Sequence, residues 1–183
     1  MINNNGTKTI ITERTILRKF KVEDASSFFK NVGDDPEVSK YVVWNRHKNV
    51  EVTKKAVSKW VENYENDNVY YWAVELKETN EVIGSISCVN VDLKNATCEM
   101  GYVYGSKFWN KGYATEVLNS IINYLMNEEG FYTIYAEHLS LNPASGRVLE
   151  KCGMIYEGRL KNRMIDKNTG EYDDLLSYSI SVK

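Results

Sequence analysis

The feature that most constrains this 183-residue chain is a strand, a polar loop and an amphipathic helix laid end to end around W-N-K-G-Y-A-T-E, Trp109 to Glu116. Glu99 to Tyr104, E-M-G-Y-V-Y, reads as the strand, and Gly105 to Lys111 as the loop. From Ala114 to Asn127 apolar residues fall at Val117, Leu118, Ile121, Ile122, Leu125 and Met126, the spacing of one buried helical stripe. Gly112 therefore stands where a loop enters a helix. The first turn of a helix carries unpaired N–H groups and the positive end of the dipole. Glycine lets a phosphate approach that backbone closely, and Lys111 adds a full positive charge. The segment can hold a pyrophosphate. It is not a P-loop, because no G-K-S or G-K-T occurs, and there is no G-x-G-x-x-G for a dinucleotide. Kinase, NTPase and dehydrogenase readings are weakened accordingly.

Thirty positions later comes N-P-A-S-G-R-V-L-E-K-C-G-M, Asn142 to Met154. Asn142 suits an N-cap, Pro143 the first helical position and Gly153 the C′ position. Ala144, Val148, Leu149 and Cys152 supply an apolar face. Tyr132 to Leu141 alternates like a strand before this helix, and Met154 to Leu160 is extended after it.

The rest of the chain reads as a single domain over residues 1–183, with 1–8 a frayed end. Thr9 to Phe20 is a first strand, and Val22 to Val32 and Val50 to Tyr64 are helices. Val69 to Leu76 and Val82 to Val91 form a hairpin across Lys77–Glu81, and Ala96 to Tyr104 continues the sheet after a turn at Asp92–Asn95. Glu171 to Val182 is the last strand, opened by the turn signal Asn168-Thr169-Gly170. The formal net charge is −2 without any basic run, which gives nucleic-acid binding little support. No apolar stretch resembles a signal peptide or spans a membrane. Cys88, Cys98 and Cys152 have no metal-ligand spacing, and His47 and His138 lie far apart, so no metal is expected. An odd cysteine count without a signal favours a reducing cytoplasm. Monomer and homodimer both stay open.

The order and spacing of these blocks resemble the GNAT N-acetyltransferases, in particular their RimJ/RimL-like branch. Trp109-Asn110-Lys111-Gly112-Tyr113-Ala114 is similar to that branch's variant of the phosphate motif Q/R-x-x-G-x-G/A. The resemblance extends through T-E-R-T-I-L-R-K-F-K-V-E-D-A (Thr12 to Ala25), D-P-E-V (Asp35 to Val38) and E-V-I-G-S-I (Glu81 to Ile86). It continues through A-T-C-E-M-G-Y (Ala96 to Tyr102) and N-T-G-E-Y-D-D-L-L-S-Y-S-I (Asn168 to Ile180). It implies an α/β fold with a mixed, mostly antiparallel sheet of about seven strands flanked by about four helices. It implies acetyl-CoA as acetyl donor and a protein N-terminus, such as that of a ribosomal protein, as acceptor.

By the same resemblance, the backbone of Tyr102, Val103 and Tyr104 would pair with the pantetheine arm. Asn110, Lys111, Gly112, Tyr113, Ala114 and Thr115 would hold the pyrophosphate, Asn142 the pantetheine arm, and Arg147 would reach the cofactor. Many members protonate the leaving thiolate with a tyrosine just before the E-K of the last helix; here that position is Leu149. The RimJ/RimL-like branch offers a serine three residues after the asparagine, and Ser145 fits.

Acetyl transfer also needs a neutral amine. A lysine-like amine of pKa ~10.4 is neutral in about one molecule in ~2,500 at pH 7, a cost of roughly 4.6 kcal/mol, whereas an α-amine near ~7.7–8.0 costs about 1 to 1.4 kcal/mol. A modest base therefore suffices for an N-terminus. Glu99 is the first candidate for that base, Glu157 the second, and Asp173 and Asp174 the weaker ones. The acceptor groove is expected between the Val22–Tyr64 region and a Leu160–Tyr172 hairpin, near Tyr41, Trp44, Trp60, Tyr70, Tyr71 and Trp72. Small acceptors (polyamine, aminoglycoside or amino acid) remain alternatives. So do a non-catalytic acyl-CoA-binding module, which amine turnover would exclude, and a nucleotide-binding protein, which would prefer ATP.

Overall fold

The computed structural model describes residues 2–182 and shows one sheet of eight strands in the order β1-β2-β3-β4-β5-β6-β8-β7. The strands are β1 (Ile10–Ile11), β2 (Thr15–Arg18), β3 (Tyr71–Leu76), β4 (Val82–Asp92), β5 (Thr97–Tyr104), β6 (Thr133–Leu139), β7 (Ile155–Ile165) and β8 (Tyr172–Ser181). Every neighbouring pair is antiparallel except β5 and β6. Two longer helices, α4 (Tyr113–Asn123) and α5 (Pro143–Lys151), cover one face of the sheet. Two short ones, α1 (Ala25–Phe28) and α2 (Pro36–Ser39), lie with α3 (Val50–Asn63) against the other.

Alternation along the strands sends residues to two cores. Trp72, Val74, Ile83, Ile86, Cys98 and Met100 meet Val117, Leu118 and Ile121 of α4. Ala73 and Val82 meet Phe28 and Val57 on the opposite side, where Phe20, Trp60 and Tyr71 pack ring against ring. Both faces are covered, so β3 and β4 are apolar on both.

The expected strand Thr9 to Phe20 is broken into β1 and β2. Thr12 and Arg14 turn their polar groups onto Glu116 at the break. The expected helix Val22 to Val32 is a relay of three pitches: a tight turn over Val22–Asp24, then α1, then a wide turn over Phe29–Gly33. Asn31, in the wide turn, donates its side-chain amide to the Val82 carbonyl at 3.0 Å. The last two strands run as expected, although β7 continues past Leu160 to Ile165.

Of the end expected to fray, residue 1 lies outside the described residues, and residues 2–8 have no regular structure but are hydrogen-bonded to the body of the protein. The Asn5 backbone N–H and side-chain amide both donate to the Glu129 carboxylate, at 2.9 and 2.8 Å. The Tyr70 and Tyr124 hydroxyls donate to the same carboxylate, at 2.9 and 2.8 Å. Thr7 Oγ1 donates to the Val69 carbonyl at 2.7 Å. Glu129 is fully buried. Burial pushes its carboxyl up, but the Asn5 N–H, the two hydroxyls and the Asn5 amide outweigh this and hold it below the usual range.

A carboxylate with depressed pKa stabilises the fold above its unfolded value, about 4.3, and that contribution fades as pH falls through the folded value. Glu129→Ala should therefore cost about 3 kcal/mol at neutral pH, since it strands four donors. Denaturant unfolding at a series of pH values should show the gap between the two proteins closing in acid. A gap independent of pH would show that the carboxylate charge plays no part.

Candidate functional site

The site is made by a fork in the sheet. β5 and β6 pair in parallel only through Thr97–Thr133, Cys98–Ile134 and Glu99–Tyr135. Beyond Glu99, β5 stays registered with β4 up to Gly84–Tyr104, while β6 stays registered with β8 up to Leu139–Leu175. The β4–β5 register shifts between Cys88 and Asn90, opposite the last residues before the fork. Such a bulge bends and twists its strand locally. The backbone of β5 on its β6 side is thus left without a strand partner.

Two cavities of about 390 and 340 Å³ open from this fork and share Tyr102, Asn142 and Ser145. Tyr102, Val103 and Tyr104 of β5 line the larger one. So do Asn110, Gly112, Tyr113, Ala114 and Thr115 of the loop and first helical turn. Asn142, Ser145 and Arg147 close it from α5, with Lys151 as a further cation. Of the residues the sequence assigns to the donor, only Lys111 is outside the lining. Its ammonium lies 6.0 Å from the centre of the Phe108 ring.

The loop is shaped to present N–H groups. Asn110 and Gly112 both take left-handed backbone conformations, at φ 58° and 83°. The first N–H of α4 to reach back is that of Glu116, which donates to the Gly112 carbonyl at 3.0 Å. Those before it have no intrahelical acceptor and form an anion-binding turn. A carboxylate in that first turn would repel a phosphate, and Glu116 is one. Arg14 cancels it: its Nε donates to Glu116 at 2.6 Å and its Nη1 to the Lys111 carbonyl at 2.8 Å. Its guanidinium also lies 4.3 Å from the Tyr113 ring centre. Burial pushes the Glu116 carboxyl up, but the Thr12 hydroxyl and Arg14 outweigh it and hold it low. Arg14 and Glu116 escape a reading of the sequence because 102 residues separate them. The only signal is that Arg14 falls in a family block and Glu116 follows closely on the phosphate motif.

Asn142 occupies the N-cap position of α5, but its side chain makes no bond to the helix N–H groups, against expectation. Its backbone conformation (φ −113°, ψ 67°) is not the extended one from which such caps reach. The amide is left in the cavities. The Ser145 hydroxyl is 2.7 Å from the Tyr102 hydroxyl. Leu149 is fully buried under α5.

The smaller cavity lies between Lys40–Val43, the β7–β8 turn at Met164–Lys167 and the far end of β6. Tyr41 lines both cavities, and its ring faces Trp109 at 6.1 Å. Trp44 lines neither cavity and packs against the second core, while its carbonyl accepts from the Lys167 ammonium. Trp60, Tyr70, Tyr71 and Trp72 are core residues instead.

The four carboxylates favoured by the sequence lie elsewhere or are occupied. Glu99 lines neither cavity and accepts from the Asn90 amide at 2.5 Å, because it belongs to the paired part of β5. Glu157 accepts from Ser179 at 2.5 Å. Asp173 accepts from Ser140 at 2.6 Å, and Asp174 pairs with Arg159. The carboxylate the sequence reading missed is Glu137, on the smaller cavity. Burial, and then the charge of Glu99, push its carboxyl up. It makes no hydrogen bond among the described residues. In sequence it looks like any outward residue of an alternating strand; only the fork turns it inward.

No group of three or more potential metal ligands occurs among the described residues, and none of their helices is long and apolar enough to cross a membrane. A Cβ at Gly112 would meet the Arg14 guanidinium at 3.3 Å in a left-handed conformation. Gly112→Ala should cost about 1 kcal/mol in stability and weaken coenzyme A about tenfold by calorimetry. Unchanged affinity would remove the loop from the donor site.

The acetyltransferase (GNAT) domain profile matches residues 14–155. An uncharacterized N-acetyltransferase of Bacillus subtilis, YoaA, is 29% identical over 158 residues, 86% of this chain and 89% of its own. The crystal structure of a GNAT-family acetyltransferase from Bacillus anthracis is 30% identical, superposes with a TM-score of 0.81 and covers 95% of this chain and 98% of its own. That of a ribosomal-protein-S5-alanine acetyltransferase from Vibrio fischeri shares the fold at 21% identity, with a TM-score of 0.82 and coverage of 95% and 96%. The chain belongs to the GNAT family of N-acetyltransferases, enzymes that take the acetyl group from acetyl-CoA.

Proposed function

We propose that this enzyme moves the acetyl group directly to a primary amine while donor and acceptor are bound on the two sides of the β5–β6 fork. The observation that carries this reading is the meeting of the two cavities at Tyr102, Asn142 and Ser145. The larger cavity has the fittings of a donor site. The N–H groups ahead of Glu116 suit a pyrophosphate, and Arg147 and Lys151 offer it further charge. The unpartnered edge of β5 suits the amides of a pantetheine arm. One of its N–H groups can face the thioester carbonyl, where negative charge develops on attack.

The smaller cavity takes the amine, and Glu137 takes its proton. A carboxyl raised by burial is a better base than an ordinary one, since its basicity approaches the working pH. It remains a weak base against a lysine side chain. We therefore place the acceptor among α-amines of protein N-termini, as in the RimJ/RimL-like branch, acting in the cytoplasm. The substrate named for the Vibrio fischeri enzyme, an alanine of ribosomal protein S5, agrees with this class.

Release of coenzyme A thiol from acetyl-CoA should be supported by Ser-, Ala- or Thr-initiated peptides. It should not be supported by a lysine side-chain peptide, spermidine or an aminoglycoside. Release with a small amine alone would keep the chemistry and overturn the acceptor; release with none would overturn both.

With the active acceptor, the acid limb of kcat/KM should lie above the ordinary carboxylate range, because a raised Glu137 must lose its proton to act as base. Glu137→Gln should lower kcat about 100-fold and abolish the limb. Glu99→Gln, which removes the neighbouring negative charge, should move the limb to lower pH. A limb indifferent to both changes would exclude Glu137 as the base.

A further inference from the structure

We propose that Tyr102 stands behind Ser145, the serine that the family resemblance already offers to the leaving thiolate, and that the phenol on strand β5 is its proton reservoir, so that the two hydroxyls act as one unit. The proposal rests on the acetyl-transfer reading above. Tyr102 reaches across the fork from β5 to the first turn of α5. Its hydroxyl lies 2.7 Å from Ser145 Oγ and 3.1 Å from the Ser145 carbonyl oxygen.

These two contacts define two proton arrangements. A carbonyl only accepts, so when the phenol donates to it, the serine hydroxyl donates to the phenol oxygen. When the phenol instead donates to Oγ, the serine proton is released from that bond and is free for a group in the cavity. Both side chains line both cavities, so the unit sits at the point where the two substrates meet. A serine that merely served the first helical turn would have no need of a phenol from another element.

The residue three positions before Cys152 cannot do this work: it is Leu149, apolar and fully buried. Burial also keeps the Tyr102 phenol protonated, more strongly than its bond to Ser145 opposes this. The phenol is therefore a loaded donor rather than a base.

The protons balance as follows. The amine nitrogen forms a bond to the acetyl carbon and gives one proton to Glu137. The carbon–sulfur bond breaks and its electron pair leaves on sulfur. Ser145 gives its hydroxyl proton to that sulfur while Tyr102 gives its own to Ser145 Oγ. The proton held by Glu137, which shares the smaller cavity with Tyr102, restores the phenol. One proton has left nitrogen and one has arrived on sulfur.

The test compares Tyr102→Phe, Ser145→Ala, the double variant and Ser145→Thr. Phenylalanine keeps the ring and the strand, and threonine keeps the hydroxyl. Tyr102→Phe and Ser145→Ala should each lower kcat with the active acceptor about 100-fold, with the calorimetric Kd of coenzyme A within about twofold of wild type. The double variant should be no slower than either single one, as for groups acting as a unit. Ser145→Thr should recover most of the rate.

A second readout needs no acceptor, and so survives if no amine is turned over. Ultraviolet titration of enzyme-bound coenzyme A reports its thiol pKa. Donors to the sulfur favour the thiolate, so that pKa should rise by about one unit in both single variants. An unshifted thiol pKa, or a loss that lies wholly in coenzyme A affinity, would overturn the proposal. Full independence of the two single effects would overturn the coupling.

Discussion

After Glu99 and Tyr135 the strands β5 and β6 part, and the hydrogen bonds of a continuous sheet are not made. Each strand keeps its partner on the far side, β5 with β4 and β6 with β8, so the two halves of the sheet diverge from this point. The backbone of β5 beyond Glu99 is thereby left without a strand partner on this side, at the mouth of a cavity, with the Tyr104 carbonyl taken by the Trp109 indole N–H at 2.7 Å. An unpaired edge costs free energy in the empty protein unless water or a ligand satisfies it. Here it is also the surface along which an amide-bearing chain can lie as an added strand. The bulge opposite the fork places its extra residue, Val89, on β4 and bends that strand, and the α5 turn enters the gap with Asn142 and Ser145.

Charge is arranged around the fork with the same economy. The helix that offers its N-terminus to an anion has a glutamate in its first turn, and an arginine from the β1–β2 turn neutralises it. That arginine also holds the Lys111 carbonyl, so one side chain removes a repulsion and fixes the loop that would have felt it. On the other side of the sheet the arrangement is reversed. Burial and the charge of Glu99 raise the Glu137 carboxyl, Arg163 opposes them more weakly, and no salt bridge to Glu137 occurs among the described residues. One face thus presents unpaired helix N–H groups, the other a carboxyl raised by its surroundings.

Much of this was legible in the sequence where the signal is local. Gly112 marks the loop-to-helix step, and Pro143 and Gly153 bracket α5, because each meets a backbone requirement of its own position. The hairpins followed from alternation and turn residues. What could not be read depends on distant pairing. Glu137 and Glu99 both sit in alternating strands, and only the point at which β5 leaves β6 decides which of them meets a cavity. Residues 2–8 have a polar composition that suggests a loose end, yet their partner is a buried carboxylate some 124 residues away. The Tyr102 side chain was passed over for a similar reason. Its backbone was expected to serve the donor, and nothing in E-M-G-Y-V-Y tells that its hydroxyl ends beside a serine 43 residues on.

The segment between α2 and α3 has a further consequence. Asp35 caps α2 through the N–H groups of Glu37 and Val38, and its other oxygen accepts from the Ser106 N–H at 2.8 Å. Asn49 caps α3 through the Val52 N–H at 3.2 Å. The stretch from Lys40 to Lys48, which supplies one wall of the smaller cavity, is itself bound between these helices: the His47 N–H donates to the Gly33 carbonyl at 2.8 Å, and the His47 ring lies 2.7 Å from the Thr53 hydroxyl of α3. Val42 and Trp44 pack against the core beneath α1 and α3, Arg46 pairs with Asp34, and the Tyr41 ring faces Trp109 of the loop ahead of α4. A change of residue in this wall is therefore transmitted to α3 and to the core beneath it as well as to the cavity that it lines.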